Sequence, residues 1–106
     1  MATIYNKLIR DKVLDILDKK GIAHKSHIAD DQEFEEKLFL KLLEEAAEVA
    51  TEEDSEKLKE ELADLLEVIE AIKSHKGFTT AEIEETRLAK IAERGSFDKR
   101  IILEES

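Results

Sequence analysis

The chain has 106 residues, 17 Lys and Arg against 27 Asp and Glu, and a formal net charge of −10. It has no Cys, which excludes disulfides, thiolate zinc sites and cysteine nucleophiles, and no apolar run approaching a membrane span or a signal peptide, so a soluble cytoplasmic protein with no membrane partner is expected. With no Pro, three Gly, 42% hydrophobic and 42% charged residues, the composition predicts a single all-α domain over 1–106, with charged outer faces and a core small enough to favour oligomers.

The first predicted helix covers residues 6–20. Asn6 is placed to cap it, Leu8, Ile9, Val13, Leu14, Ile16 and Leu17 recur at helical spacing, and Gly21 after Lys19 and Lys20 ends it. Within this stretch Lys7 and Arg10 stand one turn apart, an arrangement that suits either a solvated face or a grip on phosphate. Residues 22–29 show no helical pattern. Their two imidazoles, His24 and His27, have none of the companions a zinc site needs and read as surface residues.

Asp30 and Asp31 offer caps for a second helix over 31–51, with Glu33 spaced for a capping box. Phe34, Leu38, Phe39, Leu42, Leu43, Ala46, Ala47, Val49 and Ala50 give it a broad apolar arc. Most of the remaining face holds Glu44, Glu45 and Glu48, with Lys37 and Lys41 on the same stripe one and two turns earlier. Such alternation of Lys and Glu is also how an ordinary solvated face looks. A short acidic connection, with Asp54 or Ser55 as cap, leads to a third helix over 55–75, so the two helices are expected to be antiparallel neighbours. Thr79 and Glu82 form a capping box for a fourth helix over 80–94, which Gly95 ends; Arg87, Lys90 and Arg94 share one of its faces. His75 sits where it complements the negative end of the third helix dipole. The tail, with Phe97, Ile101, Ile102 and Leu103, is expected to be extended.

Two acid clusters share one grammar, Glu44-Glu45-x-x-Glu48 and Glu60-Glu61-x-x-Asp64. At about 100° per helical residue, Glu44, Glu48 and Glu45 fall near 0°, 40° and 100°, and Glu60, Asp64 and Glu61 repeat the pattern. On the third helix Val68 and Ala71 continue the acid stripe, which therefore runs from a wet cavity into packed interior. Ionised carboxylates at such an edge need compensation, and the helix offers no arginine. A set of oxygen ligands with no His or Cys suits Mg²⁺, with Mn²⁺ as substitute; a di-iron bundle would require Glu-x-x-His on two helices.

Charge is unevenly placed along the chain. Residues 1–25 carry six Lys/Arg against three acids, residues 86–102 five against two, and residues 30–70 seventeen acids against four Lys. The acidic middle argues against nucleic acid as a partner, while basic ends folding over a metal would suit a small polyphosphate.

The double acid motif on adjacent helices resembles the all-α NTP pyrophosphohydrolase superfamily, which includes MazG proteins, dimeric dUTPases and phosphoribosyl-ATP pyrophosphohydrolases. The opening Tyr5-Asn6-Lys7-Leu8-Ile9-Arg10-Asp11-Lys12 and the closing Glu93-Arg94-Gly95-Ser96-Phe97-Asp98-Lys99-Arg100-Ile101 look like a small MazG-like, house-cleaning subgroup. The resemblance implies an antiparallel helical bundle forming a homodimer or higher homo-oligomer. It also implies Mg²⁺-dependent cleavage of a nucleotide, modified or damaged ones included, to a monophosphate and pyrophosphate. By position, Glu45, Glu48, Glu61 and Asp64 match the metal ligands and Glu44 the acid that activates water. Lys7, Arg10, Arg94, Lys99 and Arg100 would contact phosphate. Phosphoribosyl-ATP as substrate, or an acidic helical binding module without chemistry, are the alternative expectations.

Overall fold

The computed structural model of the chain describes residues 3–106, which form four helices and, among the described residues, no strand. The helices are α1 (Val13–Lys19), α2 (Asp31–Thr51), α3 (Ser55–Lys76) and α4 (Thr80–Arg94). The chain divides into two compact units, Met1–Ile72 and Lys73–Ser106, with the boundary inside α3.

In the first unit the main departure from the sequence pattern is α1. It begins at Val13, and residues 3–10 form a non-helical arm. Asn6 has φ of 49°, a left-handed conformation that Asn tolerates better than most residues but that no helix continues through. Asn6 is thus a bend in the arm, and the capping role expected of it is not observed. The apolar spacing of Leu8 and Ile9 is compatible with a helix, yet ion pairs made by Lys7 and Arg10 to other elements hold the arm open.

The end of α1 follows the sequence signal. Gly21, at φ of 68°, donates to the Asp18 carbonyl while Ile22 donates to that of Leu17. This Schellman arrangement satisfies two orphan carbonyls, and a positive φ is what makes glycine the residue for it. Asp30 caps α2 as expected, its carboxylate accepting from the Glu33 backbone N–H at 2.8 Å. Glu33 does not complete a capping box, because its own carboxylate is 2.8 Å from His27 Nε2. At α3 the cap is Asp54, which accepts from the Lys57 N–H at 3.0 Å.

The core of this unit is thin. Leu38 of α2 and Val68 of α3 are its buried apolar side chains, with Leu38 1% exposed. Val68 is the residue that continues the acid stripe of α3 into the interior. Much of the predicted apolar arc of α2 is uncovered in the single chain, Phe39 and Leu43 included, and Leu62 and Leu66 on α3 are exposed as well.

In the second unit α4 starts at a complete capping box. Thr79 accepts from the Glu82 N–H, and the Glu82 carboxylate accepts from the Thr79 N–H. Lys73 of this unit is buried and donates from Nζ to Thr80 Oγ1 at 3.0 Å. The tail beyond Gly95 has a turn closed by Arg100 N–H on the Phe97 carbonyl and no regular structure after it. Phe97, Ile101, Ile102 and Leu103 are all exposed.

Candidate functional site

The acid clusters of α2 and α3 meet. One carboxylate oxygen from each of Glu45, Glu61 and Asp64 lies within 4.8 Å of the other two. Among the described residues this is the one group of three or more Asp, Glu, His or Cys side chains that close. Glu45 is buried, and Glu61 and Asp64 are half-buried.

The environment is unfavourable to negative charge. Glu45 Oε2 and Glu61 Oε2 are buried and accept no hydrogen bond. An orphaned carboxylate oxygen forfeits its hydration without replacement, an imbalance a native site removes with a proton or a cation. A proton is one way to restore the balance, and the surroundings of Glu61 and Glu45 favour it. A hydrogen bond with Glu48, reinforced by burial and by the charges of Glu48, Glu45 and Asp64, pushes Glu61 up to about 7. Burial, followed by the charges of Glu48 and Asp64, pushes Glu45 up as well. These groups titrate as a set that holds protons above the ordinary carboxylate range.

Glu44 behaves in the opposite way. Lys7 of the arm donates to its Oε1 at 2.6 Å, and Lys41 Nζ stands 3.6 Å from Oε2. The Lys7 hydrogen bond, assisted by Lys41, holds Glu44 below the usual carboxylate range, and the same contact raises Lys7. Neighbouring acids are thus driven in opposite directions, Glu44 downward by its lysines and Glu61 upward by its fellow carboxylates. The arm touches α3 too, Arg10 donating to Asp64 Oδ1 at 2.7 Å.

Of the residues singled out in the sequence, the structure brings together Glu44, Glu45, Glu48, Glu61 and Asp64 with Lys7 and Arg10. Glu48 is exposed and stands beside the close triad of oxygens, where it raises Glu61. Glu60 and Glu67 face solvent. Arg94, Lys99 and Arg100 belong to the second unit, where Arg94 lines a pocket of about 560 Å³ with Arg87 and Lys90. His24 lies 2.6 Å from Asp18 and His27 2.8 Å from Glu33, pairings that leave neither in a metal cluster. One functional neighbour escaped the sequence reading. Lys41, taken there as part of a lysine-laced solvated face, is half-buried and sits 4.0 Å from Glu45 as well as beside Glu44. Its place on the acid stripe, one turn before Glu45, was the available signal.

The oxygen-only donor set and the two orphaned oxygens fit a hard divalent cation such as Mg²⁺ or Mn²⁺ held by Glu45, Glu61 and Asp64. Among known proteins, no family model, no curated protein and no solved structure significantly matches the chain. No helix among the described residues is long and apolar enough to cross a membrane.

Proposed function

We propose that the chain is a Mg²⁺-dependent nucleoside triphosphate pyrophosphohydrolase, cleaving between the α and β phosphates to release a monophosphate and pyrophosphate. One observation carries the reading: three carboxylates of α2 and α3 converge, two of their oxygens buried without a partner, beside the cations of a non-helical arm. The resemblance of the double acid motif to all-α NTP pyrophosphohydrolases supplies the reaction.

In this reading Glu45, Glu61 and Asp64 would hold the cation, with Glu48 beside them as the further ligand that the resemblance implies. When bound, Mg²⁺ would supply charge neutralisation for the phosphates and polarise a water. Glu44, kept ionised by Lys7 and Lys41, takes the proton of the attacking water. The water oxygen forms its bond to phosphorus in line with the bridging oxygen, whose bond to that phosphorus breaks, and the pair of electrons leaves with pyrophosphate. Lys7 and Arg10 exchange part of their contact with the acids for phosphate oxygens.

The reading includes an antiparallel pairing of α2 and α3. It is supported by the short connection, and by Glu45 preceding the end of α2 by as many residues as Glu61 follows the start of α3. It also includes a homodimer or higher homo-oligomer, supported by the i,i+4 apolar pairs Phe39/Leu43 and Leu62/Leu66, exposed on helices with a thin core.

A second reading rests on the arm. Lys7–Glu44 and Arg10–Asp64 neutralise two of the acids internally, as they would in a binding module with no chemistry. Pyrophosphate release from a panel of ordinary and modified NTPs and phosphoribosyl-ATP, with and without Mg²⁺, separates the readings. Turnover of any of these with Mg²⁺ supports the enzyme, and turnover of none supports the module.

A further inference from the structure

Beside the acid triad, on the side of the arm, is a pocket of about 520 Å³ whose charged lining is Lys7, Lys37, Lys41 and Glu44. Three ammonium groups against one carboxylate is an inversion of the chain as a whole, which carries −10. Two of the lysines are accounted for: Lys7 and Lys41 both lie against Glu44. Lys37 is not. It is half-buried, has no acidic partner among the described residues, and sits one helical turn from the like charge of Lys41. Lys37 thus adds a third cation to a concavity whose other two are already held by Glu44, and an incoming anion would give it a partner.

The position of these groups indicates which anion. Lys37, Lys41 and Glu45 follow one row of α2 at i, i+4 and i+8, so at a rise of 1.5 Å per residue Lys41 is about 6 Å and Lys37 about 12 Å along the axis from Glu45. The row therefore starts at the carboxylates assigned to a divalent cation and runs away from them into a cationic pocket. A polyphosphate has the matching sequence of needs, oxygens for a cation at one end and ammonium donors further out. The bend at Asn6 lies just before Lys7 and the arm forms one wall, with Tyr5 and Leu8 beside it.

We propose that this pocket seats the terminal diphosphate of the substrate, the part released as pyrophosphate, with Lys37 as its outermost contact and Lys7 and Lys41 nearer the reacting phosphorus. The proposal rests on the pyrophosphohydrolase reading and adds to it a leaving-group site with a specificity role: nucleotides with a β,γ-diphosphate are engaged at Lys37, and monophosphates are not. Lys37 touches the departing group and takes no part in the proton transfer assigned to Glu44.

The test is calorimetric binding of pyrophosphate, of inorganic phosphate and of a nucleoside monophosphate in the presence of Mg²⁺, to the wild type, Lys37→Gln and Lys57→Gln. Lys57 is an exposed lysine on α3 outside the pocket, so its variant carries the same change in net charge. Loss of one charge-assisted contact is expected to weaken pyrophosphate on the order of tenfold in Lys37→Gln. Monophosphate and Mg²⁺ affinities should stay at the wild-type value, and Lys57→Gln should match the wild type throughout. Equal pyrophosphate affinity in Lys37→Gln and Lys57→Gln overturns the site, as does a loss shared equally by pyrophosphate and monophosphate. A wild type that binds no pyrophosphate overturns it too. Pyrophosphate binding that depends on Lys37 in a protein that hydrolyses no NTP upholds the pocket and removes the catalytic reading instead, so the two failures are distinct.

Discussion

Glu61→Gln is the substitution whose effects the two functional readings predict most differently. In the wild type, the folded protein holds Glu61 at about 7 against an ordinary 4.5, so between those values the folded state binds more proton than the unfolded one. Stability of the metal-free protein therefore falls as pH rises through that window and is greatest at its acid end. At pH 8 the wild type folds with Glu61 ionised against Glu48, Glu45 and Asp64, and glutamine removes that repulsion. The metal-free variant is expected to melt above the wild type at pH 8, with the advantage gone at pH 5. Magnesium reverses the order. At ten times its dissociation constant a ligand stabilises the folded state by about 1.4 kcal/mol. For a chain of this length that raises Tm by roughly 6–11 °C. Removing one of three carboxylate ligands, at about a hundredfold in affinity, leaves about 0.06 kcal/mol and a shift under about 1 °C. Scanning calorimetry at pH 5 and pH 8, with and without Mg²⁺, reads all four states. Equal Mg²⁺ shifts in variant and wild type would refute the assignment of Glu61 as a ligand. A wild type indifferent to Mg²⁺ would favour the binding module.

Other expectations follow from the same contacts. Lys7→Gln frees Glu44 from the partner that holds its pKa down, so the ascending limb of the pH–rate profile should move to higher pH; an unmoved limb would rule out Glu44 as the base. Leu43→Glu combined with Leu66→Glu places charges on the exposed apolar faces of α2 and α3 and should convert the proposed homo-oligomer to a monomer in sedimentation velocity; a wild type that sediments as a monomer would remove the oligomer from the reading, and a variant that stays oligomeric would move the interface off these faces. Leu38→Ala removes the one fully buried large side chain among the described residues and should cost roughly 2–5 kcal/mol in urea unfolding; a loss below about 1 kcal/mol would show that Leu38 does not anchor the unit.

The sequence was most legible where a local signal and the tertiary environment agree. Asp30, Asp54 and the Thr79/Glu82 pair start α2, α3 and α4 where the cap chemistry places them. Val68 is buried as its place behind Glu60, Glu61 and Asp64 implies. That the two acid clusters could meet was legible in their shared spacing and the short connection, but helix phase alone did not separate Glu45, Glu61 and Asp64 from Glu44, Glu48 and Glu60. The arm was misread for a reason no periodicity shows. Residues 6–12 have an acceptable helical pattern, but Lys7 and Arg10 gain more from Glu44 and Asp64, 37 and 54 residues away, than a marginal first turn of helix supplies. Capping at Glu33 failed similarly, through His27 taking the carboxylate meant for the Asp30 N–H. The apolar arc predicted for α2 is wider than this chain buries, since Leu38 is covered while Phe39 and Leu43 stay exposed.

The central claim is that Glu45, Glu61 and Asp64 serve phosphoanhydride hydrolysis, and product analysis in ¹⁸O-labelled water tests it most directly. NTPs incubated with the protein and Mg²⁺ are expected to give monophosphate and pyrophosphate in equal amounts, with one labelled oxygen in the monophosphate and none in pyrophosphate, and neither product from Asp64→Asn. Nucleoside diphosphate and orthophosphate as products would contradict the cleavage site, and undiminished turnover in Asp64→Asn would contradict the metal centre.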